Sequence, residues 1–179
     1  MTDKKRKIIG NTLVFALIFA ALALYCRPVP LSTLGGWTDD PDIYADLYYE
    51  AYHTNAQGKL AADVYAAASA NGEWSDLLAS IRVCRMPFNW LGNLLPGTGA
   101  HQLADGMTDW NLHAHDQSAE NSMVGLQAYG EGQFCYTTPR LNQYLPCAVK
   151  DADELQQKID ALIEQYGKPI KSNNGADTP

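Results

Sequence analysis

Positive charge is scarce once the first seven residues are passed. Lys4, Lys5, Arg6 and Lys7 are four of the 13 lysines and arginines in this chain of 179 residues, which leaves 9 from Arg27 onward against 19 of the 20 acids, a balance of −10. A surface so acidic repels phosphate backbones and excludes nucleic acid as a partner of that part of the chain. Cysteine is sparse too. None of the 4 sits in a C-x-x-C or similarly tight spacing, which argues against a thiolate zinc site. No Asn-x-Ser/Thr triplet follows residue 27, so nothing points to N-glycosylation. Pro96-Gly97-Thr98-Gly99 lacks a following Lys-Ser/Thr and is not a phosphate loop.

Charge is missing altogether from residues 8–26, IIGNTLVFALIFAALALYC. As a helix this stretch would rise about 28 Å, close to the hydrocarbon thickness of a bilayer. The basic cluster before it would hold the N-terminus in the cytoplasm by the positive-inside rule. The expected layout is a cytoplasmic basic segment at 1–7 and a transmembrane signal-anchor at 8–26. A linker with Pro28, Pro30 and Gly35-Gly36 follows at 27–40, then an extracytoplasmic domain at 41–169 and a disordered tail at 170–179. A cleaved signal peptide and a lipoprotein at Cys26 are the alternatives, and each would place the domain outside the cytoplasm. The expected location is the inner membrane, single-pass, with the domain in the periplasm.

What is present suits a folded domain, with 46% hydrophobic and 18% charged residues. In 41–54, Tyr44, Leu47, Tyr48, Ala51 and Tyr52 recur at i, i+3, i+4, i+7 and i+8, a helical period. Residues 59–70 are rich in alanine, and Trp74, Leu77, Leu78, Ile81 and Cys84 form a stripe in 73–85. In 151–166, Leu155, Ile159, Leu162, Ile163 and Tyr166 form another, with Asp151 and Glu154 as a capping pair and Gly167 and Pro169 as stop signals. Short helices at 88–95 and 118–128 complete a mainly α domain, helix-bundle-like, with QFCYTT at 133–138 as at most a minor β ribbon. An oxidising compartment would favour a disulfide between Cys135 and Cys147, whose loop would contribute about 3 kcal/mol. Cys84 paired with either of them is the competing arrangement.

The densest chemistry is His113-Ala114-His115-Asp116. Histidines at i and i+2 share a face only on extended backbone. With Asp116, or with His101, Asp109 or His53 as a third ligand, they are the metal candidates, and a polar loop with solvated histidines is the plainer reading. Cys84 with a histidine is a second candidate pair, of nucleophile and base. The functional expectation is a non-enzymatic, membrane-anchored accessory subunit of an envelope complex, with no cofactor. Its partners would be other membrane or periplasmic proteins, and the bilayer through residues 8–26. Its contact face would be the Tyr44, Tyr48, Tyr52 stripe with Trp37, Trp90 and Trp110. The alternative is a metal-dependent or Cys–His hydrolase centred on His113, His115 and Asp116.

Overall fold

Residues 43–54 alternate one by one between core and exterior. Ile43, Ala45, Leu47 and Tyr49 are buried, and Tyr44, Asp46, Tyr48 and Glu50 face the other way. A period of two belongs to a strand, and the stretch expected to be a helix is strand β2, Ile43–Thr54. In this computed structural model, residues 3–69, 74–86, 103–130, 133–141 and 143–170 are described, with side chains in the first helix from Asn11 onward.

The elements run α1 (Asp3–Tyr25), β1 (Pro28–Pro30), α2 (Leu31–Gly35), β2, β3 (Leu60–Ser69), α3 (Ser75–Ser80) and β4 (Arg82–Arg85). After these come β5 (Thr108–Asp116), β6 (Val124–Tyr129), β7 (Gln133–Thr137), β8 (Leu145–Val149), α4 (Ala152–Tyr166) and β9 (Lys168–Pro169). Among the described residues nine strands form one sheet in the order β1-β4-β8-β7-β6-β5-β2-β3-β9, antiparallel throughout. The mainly α helix bundle is thus corrected to a mainly β fold. The stretch read as a linker carries β1 and α2, and the helix expected at 118–128 is replaced by β6. The helix expected at 88–95 lies outside the described residues.

Ten residue pairs join β2 to β3, and this ladder overrides the helix propensity of the alanines in β3. The turn between them is encoded locally. Asn55 Oδ1 accepts the backbone N–H of Gln57 and of Lys59, both at 3.0 Å, and Gly58 takes the left-handed φ of 71° that the turn requires. One face of the sheet then collects Leu47, Trp110, Leu112, Leu126, Phe134, Tyr136 and Cys147 under α2, α3 and α4. Helix α4 appears where the sequence predicts it and buries Leu155, Ile159 and Ile163. It has no side-chain cap, however. Asp151 adopts a φ of 55°, and Glu154 pairs instead with Lys158 at 2.7 Å. Polar ties fix α4 to the sheet: Trp110 Nε1 donates to Gln156 Oε1 and Tyr49 Oη to Asp160 Oδ1, each at 2.8 Å.

Two further expectations are overturned. Among the described residues no helix is long and apolar enough to cross a membrane. The transmembrane segment at 8–26 is therefore not supported, nor is the single-pass inner-membrane placement built on it.

The disulfide fails on register. Cys147 lies opposite Phe134, and Cys135 opposite Pro146. Neighbours along a strand point to opposite faces, so Cys147 is in the core, 3% exposed, while Cys135 is on the other side. Cys84, opposite Ala148, shares the face of Cys135 but stands two strands away, about 10 Å, beyond disulfide reach. All four cysteines are free. Burial pushes the Cys147 thiol far up and the Cys135 thiol up as well. Peptide mapping without reduction should therefore find no Cys135–Cys147 crosslink, and native Cys147 should resist a thiol reagent until the protein unfolds. A crosslinked peptide from freshly folded protein would contradict the register.

Candidate functional site

The face of the sheet opposite α2, α3 and α4 is polar and aromatic. Along β2 its side chains read Tyr44, Asp46, Tyr48, Glu50, Tyr52, aromatic and acid in turn, about 6.8 Å apart for alternate residues of a strand. Tyr48 is 42% exposed. Tyr52 donates its hydroxyl to Glu50. Partial burial and the Glu50 carboxylate push the Tyr48 and Tyr52 hydroxyls up, so both stay neutral at physiological pH. Beside this row β5 sets His115 against Tyr44, His113 against Asp46, Asn111 against Tyr48 and Asp109 against Glu50. The His115 ring lies 5.1 Å from that of Tyr44.

His113 is held at both ring nitrogens. Nδ1 is 3.4 Å from Asp46 Oδ2, and Nε2 is 2.9 Å from the hydroxyl of Tyr144. That hydroxyl also lies 3.4 Å from Asn111 Oδ1, to which it can donate. Tyr144 comes from the connection between β7 and β8 and reaches His113 across β6, where the residue opposite His113 is Gly125. A Cβ on Gly125 would lie 2.8 Å from Thr137 Cγ2 and 3.0 Å from both His113 Cδ2 and Tyr144 Oη. The missing side chain is what lets the tyrosine lie against the imidazole.

The structure separates the residues that the sequence grouped. His113 and His115 share the open face, because the backbone is extended, but they engage different neighbours. Asp116 points into the opposite side and is 1% exposed. Its Oδ2 accepts from the backbone N–H and hydroxyl of Thr38 at 2.9 and 2.7 Å. Its Oδ1 accepts from Asp42 N at 3.2 Å and from Ser118 N and Oγ at 3.0 and 2.5 Å. Burial opposes its ionisation, but these bonds outweigh burial and hold the carboxyl well below the usual carboxylate range. Asp116 is a structural clamp and does not reach the histidines.

His53 pairs with Asp63 at 3.5 Å, and His101 lies outside the described residues. Among the described residues no three His, Cys, Asp or Glu side chains are grouped to hold a metal. Cys84 is four strands from the β5 histidines, about 19 Å at the usual strand spacing, so no Cys84–His113 or Cys84–His115 pair exists. Of the tryptophans proposed for the contact face, Trp110 is 1% exposed in the core. Trp37 packs on that core and donates to Ser122 O at 2.8 Å, and Trp90 is outside the described residues.

Sequence reasoning missed Asp46, Asn111, Gly125 and Tyr144 as companions of His113. The alternation Asp109, Asn111, His113, His115 against Trp110, Leu112, Ala114 was a readable strand signal. Nothing in the sequence links Tyr144 to them. Chemically the Asp46–His113–Tyr144 line can hold a proton in more than one place. It lies on an open surface, away from the cleft of about 450 Å³ that Asp105, Thr108, Phe134, Asp153 and Gln156 help to line. Among the described residues its lining carries two carboxylates, Asp105 and Asp153. No family model, curated protein or solved structure matches the chain.

Proposed function

We propose that the chain is a non-enzymatic interaction module whose open sheet face docks an extended, lysine- or arginine-bearing segment of a partner protein. The observation that carries this reading is the row Tyr44, Asp46, Tyr48, Glu50, Tyr52 on one side of β2. An extended segment repeats its side chains at the same spacing of about 6.8 Å. Cations at its alternate positions would meet a tyrosine face or a carboxylate at each step, through cation–π contact and ion pairing. The excess of acids beyond Arg27 favours the same sign of partner and speeds its encounter. The tyrosines supply contact area at little entropic cost, since only two side-chain torsions are fixed.

The test is fluorescence anisotropy with a labelled peptide of alternating arginine and alanine, and a glutamate-for-arginine peptide as control. The basic peptide should bind, weaken with salt, and lose about fivefold in affinity on Tyr48→Ala, the scale of one exposed cation–π contact. Equal binding of both peptides, or Tyr48→Ala without effect, would remove the proposal.

A further inference from the structure

We infer that this docking face is gated by pH through His113, whose protonation cancels the Asp46 charge and turns the Tyr144 hydroxyl toward Asn111. The inference rests on the docking reading above and adds its regulation. Histidine is the side chain whose charge changes between about pH 5 and 8, and His113 sits beside the acidic row, opposite Asp46. Its neutral form carries one ring hydrogen. Placed on Nδ1, that hydrogen points at Asp46 Oδ2, 3.4 Å away, and Nε2 accepts the Tyr144 hydroxyl at 2.9 Å. In this state Asp46 and Glu50 both offer negative charge to a cationic segment.

One proton taken from solvent changes both ends of the imidazole. Nε2 gains a hydrogen and becomes a donor, so Tyr144 Oη must now accept from it. The tyrosine's own hydrogen then turns to Asn111 Oδ1, the acceptor 3.4 Å away. At the other end the imidazolium neutralises Asp46 and places a positive charge beside the row that a cationic partner must cross. Side-chain exposures of 33% for His113 and 46% for Asp46 leave the pair open to both solvent protons and a partner.

Other titratable groups share this face. Strand β2 contributes Tyr44, Asp46, Tyr48, Glu50 and Tyr52, and β5 contributes Asp109 and His115. Strand β6 contributes Tyr129, β7 contributes Cys135, and the β7–β8 connection contributes Tyr144. Of these only His115 is a second imidazole. Its ring packs at a tilt against Tyr44, 5.1 Å between centres, and it has no carboxylate opposite it in the register.

The experiment measures the affinity of the same alternating arginine peptide for the full chain from pH 5 to 8, at fixed ionic strength, for wild type, His113→Gln, His115→Gln and Asp46→Asn. Wild type should bind about fivefold more weakly at pH 5 than at pH 7.5, the scale of one exposed charge pair. His113→Gln should be flat with pH, and His115→Gln should keep most of the dependence. Asp46→Asn should bind at pH 7.5 as weakly as wild type does at pH 5. It also serves if His113→Gln fails to fold. In the peptide-free protein, the Tyr144 ring resonances should follow the His113 imidazole through its titration. Absence of binding at pH 7.5 removes the docking reading itself. Binding that is flat with pH in wild type, or pH dependence that survives His113→Gln, overturns the gate alone, as does a Tyr144 ring that ignores the titration.

Discussion

Trp110→Ala should cost about 4 kcal/mol, as for other buried tryptophans, a large part of the roughly 5–15 kcal/mol that holds a domain folded. The side chain is 1% exposed and meets Phe134 edge-on at 6.0 Å between ring centres. Its Nε1 donates to Gln156 on α4, and Gln156 passes the link on to Thr108 and Asp160 at 3.2 and 2.8 Å. Truncation therefore opens a cavity beneath the helix and orphans an acceptor in the same network. Urea denaturation followed by circular dichroism checks this, with Trp37→Phe as a milder control that removes one hydrogen bond worth about 1 kcal/mol. A loss under about 1 kcal/mol for Trp110→Ala would mean that α4 does not close over this part of the sheet.

Asp116→Asn should lower the melting temperature at pH 7 by about 10 °C. The amide can replace one accepting oxygen, but its NH₂ group then faces N–H and O–H donors from Thr38, Asp42 or Ser118. The pH dependence has a definite sign. The folded carboxyl lies below its ordinary value, so the unfolded chain takes up the proton more readily than the folded one. The stability from Asp116 is complete above the unfolded value, about 3.9, and is lost as pH falls toward the folded value. Glu154, lowered by Lys158, adds to the acid sensitivity of both proteins. The gap between wild type and Asp116→Asn should accordingly narrow below about pH 3. A gap unchanged from pH 7 to pH 2 would show that the carboxylate charge is not what holds the 38–42 segment in place.

These effects also show where the sequence was readable. The amphipathic stripe of 151–166 gave α4 because its apolar residues fit only the helical period. QFCYTT was a strand by composition and is β7. In 43–54, by contrast, tyrosine is apolar enough for a core and polar enough for a surface. Tyr44, Leu47, Tyr48, Ala51 and Tyr52 fit a helix, while Ile43, Ala45, Leu47 and Tyr49 fit a strand equally well. The aromatic content and the Asn55 to Gly58 turn were the signals that should have decided it. In β3 no local signal competes with the alanines, since its strand state comes from pairing with β2. The site was half visible. The spacing of His113 and His115 puts both on one face once the backbone is extended. Asp116 could be assigned to the opposite face only after the period of β5 was known, and Tyr144 reaches His113 only through the sheet topology.

The strand order also dictates when the sheet can be finished. Strand β8 is the link that attaches β4, and through it β1, to the rest of the sheet, while β9 covers β3 from the far end of the chain. As the chain emerges from a ribosome at about 5–20 residues per second, the β2–β3 hairpin and the β1–β4 pair are complete long before residues 145–169 exist. A two-stranded ribbon is marginal in water by itself. Val29 and Val83, buried in the finished sheet, would stay wet through that interval. Closure of the early strands therefore waits on the last ones, a non-local pairing that folds on the slow scale of milliseconds to seconds. A chain stopped before Leu145 would leave β1 and β4, two of the nine strands, unfastened.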